Sequence, residues 1–205
     1  MKNWILALVL GLCGGMASAD GLSMTGCTDK AGKPVAAVAD ESLKVVAQYA
    51  LADGKAVIRF NPSALPRLLP ETRLFVFAHE CGRQYLAQPV EGERTAEQVQ
   101  AADCWALDTL RRSKIIAGKD GVEAISEDLN LSTDDWSWLP GAPRALKAEA
   151  CTGARVAKGS LNLPTGAPRQ KWDVCQQACG AKLFSCGRSA TCDAAFTECS
   201  SACGK

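Results

Sequence analysis

Residues Lys55–Phe60 (KAVIRF) place Ile58 and Phe60 on one side and Arg59 on the other, and this alternation predicts a strand. The stretch before it, 43–51 (LKVVAQYAL), suits either a strand or a short helix. Pro62, Pro66 and Pro70 then interrupt any regular element. From 71 to 87 the chain reads as a helix. Its Leu74-Phe75-Val76-Phe77-Ala78 run is apolar all round, the pattern of a buried helix. Thr95 and Gln98 have capping-box spacing and start a second helix that reaches about Arg112, with Val99, Ala102, Ala106 and Leu110 on one face. Trp136, Trp138 and Leu139 precede Pro140-Gly141, after which a short helix to Cys151 is expected.

The first 19 residues have a different character. Lys2, the apolar run 4–12 (WILALVLGL) and Ala17-Ser18-Ala19 form the three parts of an export signal, with Asp20 as the new N-terminus. A lipoprotein signal through Cys13 fits less well, because Leu12 is a poor residue before a lipidated cysteine. Nothing after the signal is apolar for long enough to span a bilayer, so no membrane association is expected once it is cleaved. Composition agrees with a folded chain: 205 residues, 47% hydrophobic and 22% charged. The 23 basic and 22 acidic residues give a net charge of +1, which offers no footprint for nucleic acid. Residues 20–151 are read as the main domain, 152–168 (Gly-, Pro- and small-residue-rich) as a linker, and 169–205 as a Cys-rich unit.

Cleavage would remove one of the 11 cysteines and leave ten, an even number that predicts five disulfides in an oxidising compartment. Six of them lie at 175, 179, 186, 192, 199 and 203, with gaps of 4, 7, 6, 7 and 4. The series reads the same from both ends, which is the register of an antiparallel hairpin. Offsets of 0, 4 and 11 residues fall within about 40° of one another on a helix, so all six sulfurs can share one seam. The predicted bridges are Cys175–Cys203, Cys179–Cys199 and Cys186–Cys192. Such a unit has few large apolar residues, chiefly Trp172, Leu183, Phe184 and Phe196, and a chain below about 40 residues usually needs staples. The twin Cys-x-x-x-Cys spacing resembles the stapled helical hairpins of small mitochondrial intermembrane-space proteins in geometry.

Phe77-Ala78-His79-Glu80-Cys81-Gly82-Arg83 resembles the F-A-H-E-x-G-H helix of gluzincin-type zinc metallopeptidases, and Ala102-Asp103-Cys104-Trp105-Ala106 resembles their E-x-x-A-D segment. The likeness covers roughly residues 40–150. It implies that His79 is the first metal ligand, Glu80 the general base that activates a zinc-bound water, and Asp103 a residue supporting the ligands from behind. It also implies that the strand before the helix is the edge that pairs with substrate. Two ligand positions depart from the family pattern: Arg83 stands where the second His belongs, and Val99 where the ligand Glu belongs. His79 is the only histidine, and Arg is always protonated and cannot coordinate a cation. Arg83 is instead placed to pair with Glu80 at i,i+3. His79 and Glu80 are therefore read as vestigial, with no cofactor expected unless the zinc reading holds. In the resembled fold the two helices pack together, which implies Cys81–Cys104 and leaves Cys27–Cys151 to tie the domain's start to its end.

No Ser surrounded by a nucleophile elbow, Walker loop, G-x-G-x-x-G or EF-hand loop is present. Glu127, Asp128, Asp134 and Asp135 read as a solvated loop, and Trp136 and Trp138 as core residues. The expected architecture is α+β and mostly helical. A small sheet packs on the HExxH-type helix pair, and a disulfide-stapled antiparallel helical hairpin follows. The expected function is an exported, catalytically inactive metallopeptidase-like protein with a binding or regulatory role in the bacterial envelope, periplasmic or secreted, acting on a protein or peptide partner. Two alternatives stand beside it: an active zinc-dependent peptidase with a non-standard metal site, and a structural or interaction protein acting through the C-terminal hairpin.

Overall fold

A computed structural model of the protein describes residues 26–131, 135–151, 161, 171–187 and 189–203. The signal segment 1–19 and nearly all of the expected linker lie outside these residues. The fold is α+β and about half helical, as the sequence predicts. Three strands form one sheet in the order β1-β3-β2: β1 (Ala36–Ala39), β2 (Ala47–Ala52) and β3 (Lys55–Phe60). β2 and β3 are an antiparallel hairpin with Ala47 opposite Phe60 and Ala52 opposite Lys55. Their turn is Asp53-Gly54, with φ of 51° and 72°. A two-residue turn with both φ values positive matches the twist of the flanking strands, which is why Asp-Gly suits it. β1 lies parallel to β3 on the other side, Ala36 opposite Val57. The strand preceding the long helix is thus central, not the edge expected from the family likeness; β1 and β2 are the edges.

Helix α1 (Pro70–Tyr85) begins with Pro at its first turn, where a missing N–H costs nothing. Its N-terminal flank is fixed from outside: Asp128 accepts the Leu69 N–H at 2.8 Å. Asp128 is buried at the end of α3 (Asp120–Asp128) and so does not belong to the solvated loop expected of that acidic cluster. Helix α2 (Ala96–Arg112) starts with both bonds of the predicted Thr95/Gln98 capping box. α1 and α2 pack closely because Gly82 lets the Trp105 ring approach; a Cβ there would lie 2.9 Å from it. Trp105, Phe75, Phe77, Ile58, Leu107 and Leu110 fill the space between helices and sheet. Trp136 is buried and Trp138 packs against the same core, the role expected of both. The short helix expected before Cys151 is only a 3-10 turn, Ala148–Cys151.

The two pairings implied for the main domain are wrong. The bridges are Cys27–Cys81 and Cys104–Cys151, not Cys81–Cys104 and Cys27–Cys151. The reason is helical phase. α2 packs on the side of α1 that carries His79, whose partner is Asp103. Cys81 is about 200° further round α1 and faces away from α2, toward the opening segment that carries Cys27. Cys104, one residue past Asp103, turns toward the 3-10 turn that carries Cys151.

Helices α4 (Lys171–Cys186) and α5 (Ala190–Ala202) form an antiparallel hairpin. It is closed by Cys175–Cys203, Cys179–Cys199 and Cys186–Cys192, the pairs given by the mirror-symmetric spacing. Leu183 and Phe196 supply its small apolar core with the sulfurs of Cys179 and Cys192. The hairpin is docked on the main domain. Arg67, in the 3-10 turn Leu65–Arg67, pairs with Asp193 at 2.5 Å and lies 4.8 Å above the Phe196 ring. Gly180 sits under the Pro66 carbonyl, where a Cβ would collide with the backbone. Within the expected linker, Leu161 is buried in the main core and its carbonyl accepts from Ser113 Oγ at 3.0 Å. Replacing Gly180 with Ala should therefore push the hairpin off its seat and lower stability by about 1–3 kcal/mol in urea denaturation with all bridges intact. An unchanged denaturation midpoint would show that the seat contributes nothing.

Candidate functional site

Successive turns of α1 bring His79, Glu80 and Arg83 under the sheet and against α2, all of them buried. The His79 Nδ1–H donates to Asp103 Oδ1 at 2.7 Å. Asp103 thus fixes the orientation of the His79 ring. The same carboxylate accepts two further bonds from Arg144, Nη2 to Oδ1 at 2.9 Å and Nε to Oδ2 at 3.0 Å, a bidentate fork. Arg144 comes from the segment after Trp136, over whose ring it lies at 5.6 Å.

Glu80 has no solvent exposure, and both of its carboxylate oxygens are occupied. Oε2 accepts the Tyr49 backbone N–H at 2.7 Å and Arg83 Nη1 at 2.8 Å; Oε1 accepts Arg94 Nη1 at 3.0 Å. The first bond comes from edge strand β2, so a donor on the outer side of that edge is spent on Glu80. Arg83 makes the expected i,i+3 pair, donates a second bond to the Pro89 carbonyl at 2.5 Å and lies 5.7 Å from the Tyr49 ring centre. Sequence reasoning missed Arg94 and Arg144. Both sit in irregular segments, where no periodicity or motif spacing could have placed them at this site.

Burial alone would raise the Glu80 carboxyl, but the neighbouring His79 ring and the Arg94 and Arg83 guanidiniums, with the Tyr49 N–H, hold it below its ordinary 4.5. Asp103 is likewise held below 3.8: burial opposes this, while the bonds from His79 and Arg144 win. Both groups are therefore ionised at neutral pH, and three guanidiniums face two carboxylates.

A zinc ion is a poor fit here. One feature favours it: His79 Nε2 is buried without a hydrogen-bond partner among the described residues, while Nδ1 is held by a carboxylate, the orientation of a ligating imidazole. The rest of the donor set opposes it. Glu80 Oε1 lies 3.9 Å from Nε2 but is tied to Arg94, Arg83 one turn on from His79 brings a fixed positive charge, and Val99 offers no donor atom. A catalytic zinc needs about three protein ligands with a water. In the hairpin, sulfurs of Cys175, Cys179 and Cys203 lie within 4.8 Å of one another, but all three are in disulfides and supply no thiolate.

In front of the network a groove of about 720 Å³ runs between the start of α2 (Ala96, Val99, Gln100) and the segment 141–147, with Arg94, Asp103 and Arg144 along it. The Cys104–Cys151 bridge pins the end of that segment to α2. Comparison with protein-family models, curated proteins and solved structures finds no match to this chain.

The lowered carboxyls contribute stability that is fully present above their ordinary values and drains away as the pH falls through the lowered ones. Urea midpoints should thus decline below about pH 4. Glu80→Gln should cost about 3–5 kcal/mol at pH 7, by leaving the buried Arg83 and the part-buried Arg94 short of a counter-charge, and should flatten the acid decline. A variant profile parallel to the wild type would mean that Glu80 is not the group being titrated.

Proposed function

We propose that this is an exported, catalytically inactive metallopeptidase-like protein with a binding or regulatory role in the bacterial envelope, periplasmic or secreted. The observation that carries the reading is the state of Glu80. A general base must present a free oxygen to a water, and here Tyr49, Arg83 and Arg94 take both oxygens. The surviving His79–Asp103 couple supports descent from a metal site, and Arg83 accounts for its loss. Five disulfides among the described residues fit an oxidising compartment, and no described helix is long and apolar enough to cross a membrane. With a donor of the β2 edge consumed by Glu80, the groove beside α2 is the better binding surface than strand addition at β2.

The reading is tested by restoring what was lost. The double variant Arg83→His with Val99→Glu, produced oxidised and analysed by native mass spectrometry, should take up about one zinc per chain where the wild type under the same conditions takes none. No gain in the folded variant would mean that His79 and Glu80 were never parts of a metal site.

A further inference from the structure

The groove beside α2 has a charge imbalance that the rest of the fold does not explain. Its lining includes Arg94, Arg144 and Lys147 against Glu93 and Asp103, and behind it Arg83 cancels Glu80. One positive charge is left over. Asp103 is already saturated by the fork from Arg144 and by His79, so it does not compete for a ligand's donors. Arg94 gives one Nη1 bond to Glu80, and its Nε and Nη2 have no partner among the described residues. Its side chain is 16% exposed and lines the groove, and neither of those nitrogens is buried away from solvent without a partner. Lys147, exposed in the groove lining, forms no ion pair among the described residues. The positive end of the α2 dipole, at Ala96, adds to the same field.

A guanidinium anchored at one nitrogen by a buried carboxylate is a pre-oriented fork for a second carboxylate. The volume lies within the range of small-ligand sites and suits a few residues of extended peptide. A surplus of one charge balances a monoanion and leaves a phosphate dianion one charge short of compensation. We infer that the groove binds a peptide segment carrying a single carboxylate, held by the open N–H groups of Arg94 with Lys147 completing the site. This assigns a ligand class to the binding role above and rests on that reading.

Titration calorimetry on the mature, oxidised protein tests it with four N-acetylated hexapeptides of Ala and Ser. One has a free C-terminal carboxylate, one is C-terminally amidated, one is amidated with a central Asp, and one is amidated with a central phosphoserine. A carboxylate-bearing peptide should bind about tenfold or more tighter than the neutral amide, and whichever of the two wins identifies the source as a chain end or a side chain. Arg94 variants disturb Glu80, so Lys147→Glu is the second probe. It leaves the bond from the Gln100 Nε2 amide to the residue 147 backbone carbonyl intact and should weaken the winning peptide about tenfold, with a flatter salt dependence. Equal binding of all four peptides, binding of none, a phosphoserine peptide that binds tightest, or no response to Lys147→Glu would each overturn the assignment. Those results would leave the inactive-peptidase reading standing, because it is the zinc uptake of the restored variant that decides that question.

Discussion

A carboxylate cut off from water must be satisfied inside the protein, and Glu80 is satisfied by donors from three separate parts of the chain. The Tyr49 N–H comes from the sheet edge, Arg83 from the next turn of α1, and Arg94 from the loop before α2. The desolvation cost of burying one such ion is several kcal/mol, so the three donors are a condition for the helix to lie where it does. They fix α1 against β2 and draw the 86–95 loop across the end of α1. They also leave the carboxylate with no oxygen for a reacting water. On the proposed reading, the contacts that hold the fold together are also what silences the chemistry that its sequence motif suggests.

The two bridges of the main domain extend this logic to its edges. Cys27–Cys81 fastens the opening segment to the back of α1, and Cys104–Cys151 fastens the chain beyond the tryptophans to α2. The second bridge holds the segment that carries Arg144, and Arg144 neutralises Asp103. One wall of the groove and one arm of the charge network are thus held by the same staple. The hairpin follows a different rule: with little apolar surface of its own, it is cross-linked at three levels and seated through Gly180, Arg67 and Phe196 on the turn before α1.

Much of this was legible in the residues. The α+β class, strand β3, helices α1 and α2, the capping box and the hairpin seam all follow from local periodicity or spacing, which act over a few residues. The Asp53-Gly54 turn is also a readable hairpin signal, although residues 43–51 before it suit either a strand or a short helix on pattern alone. β1 (AAVA) and α3 (DGVEAISED) were missed, because one is four small residues without alternation and the other is short and uncapped by its own side chains. The Cys81–Cys104 error has a geometric origin. Placing Asp103 behind His79 already commits the His79 side of α1 to face α2, and Cys81 lies on the other side. Arg94 and Arg144 reach the site through tertiary folding of irregular segments, for which sequence carries no period.

The central proposal is that a saturated Glu80, with Arg83 where the resembled motif carries a ligand, leaves no catalytic metal site. Metal analysis of the wild-type protein, purified oxidised from the periplasm and assayed for peptidase activity before and after chelation, tests it most directly. The account predicts no stoichiometric metal and no chelator-sensitive hydrolysis. About one zinc per chain, lost together with peptidase activity on chelation, would contradict it.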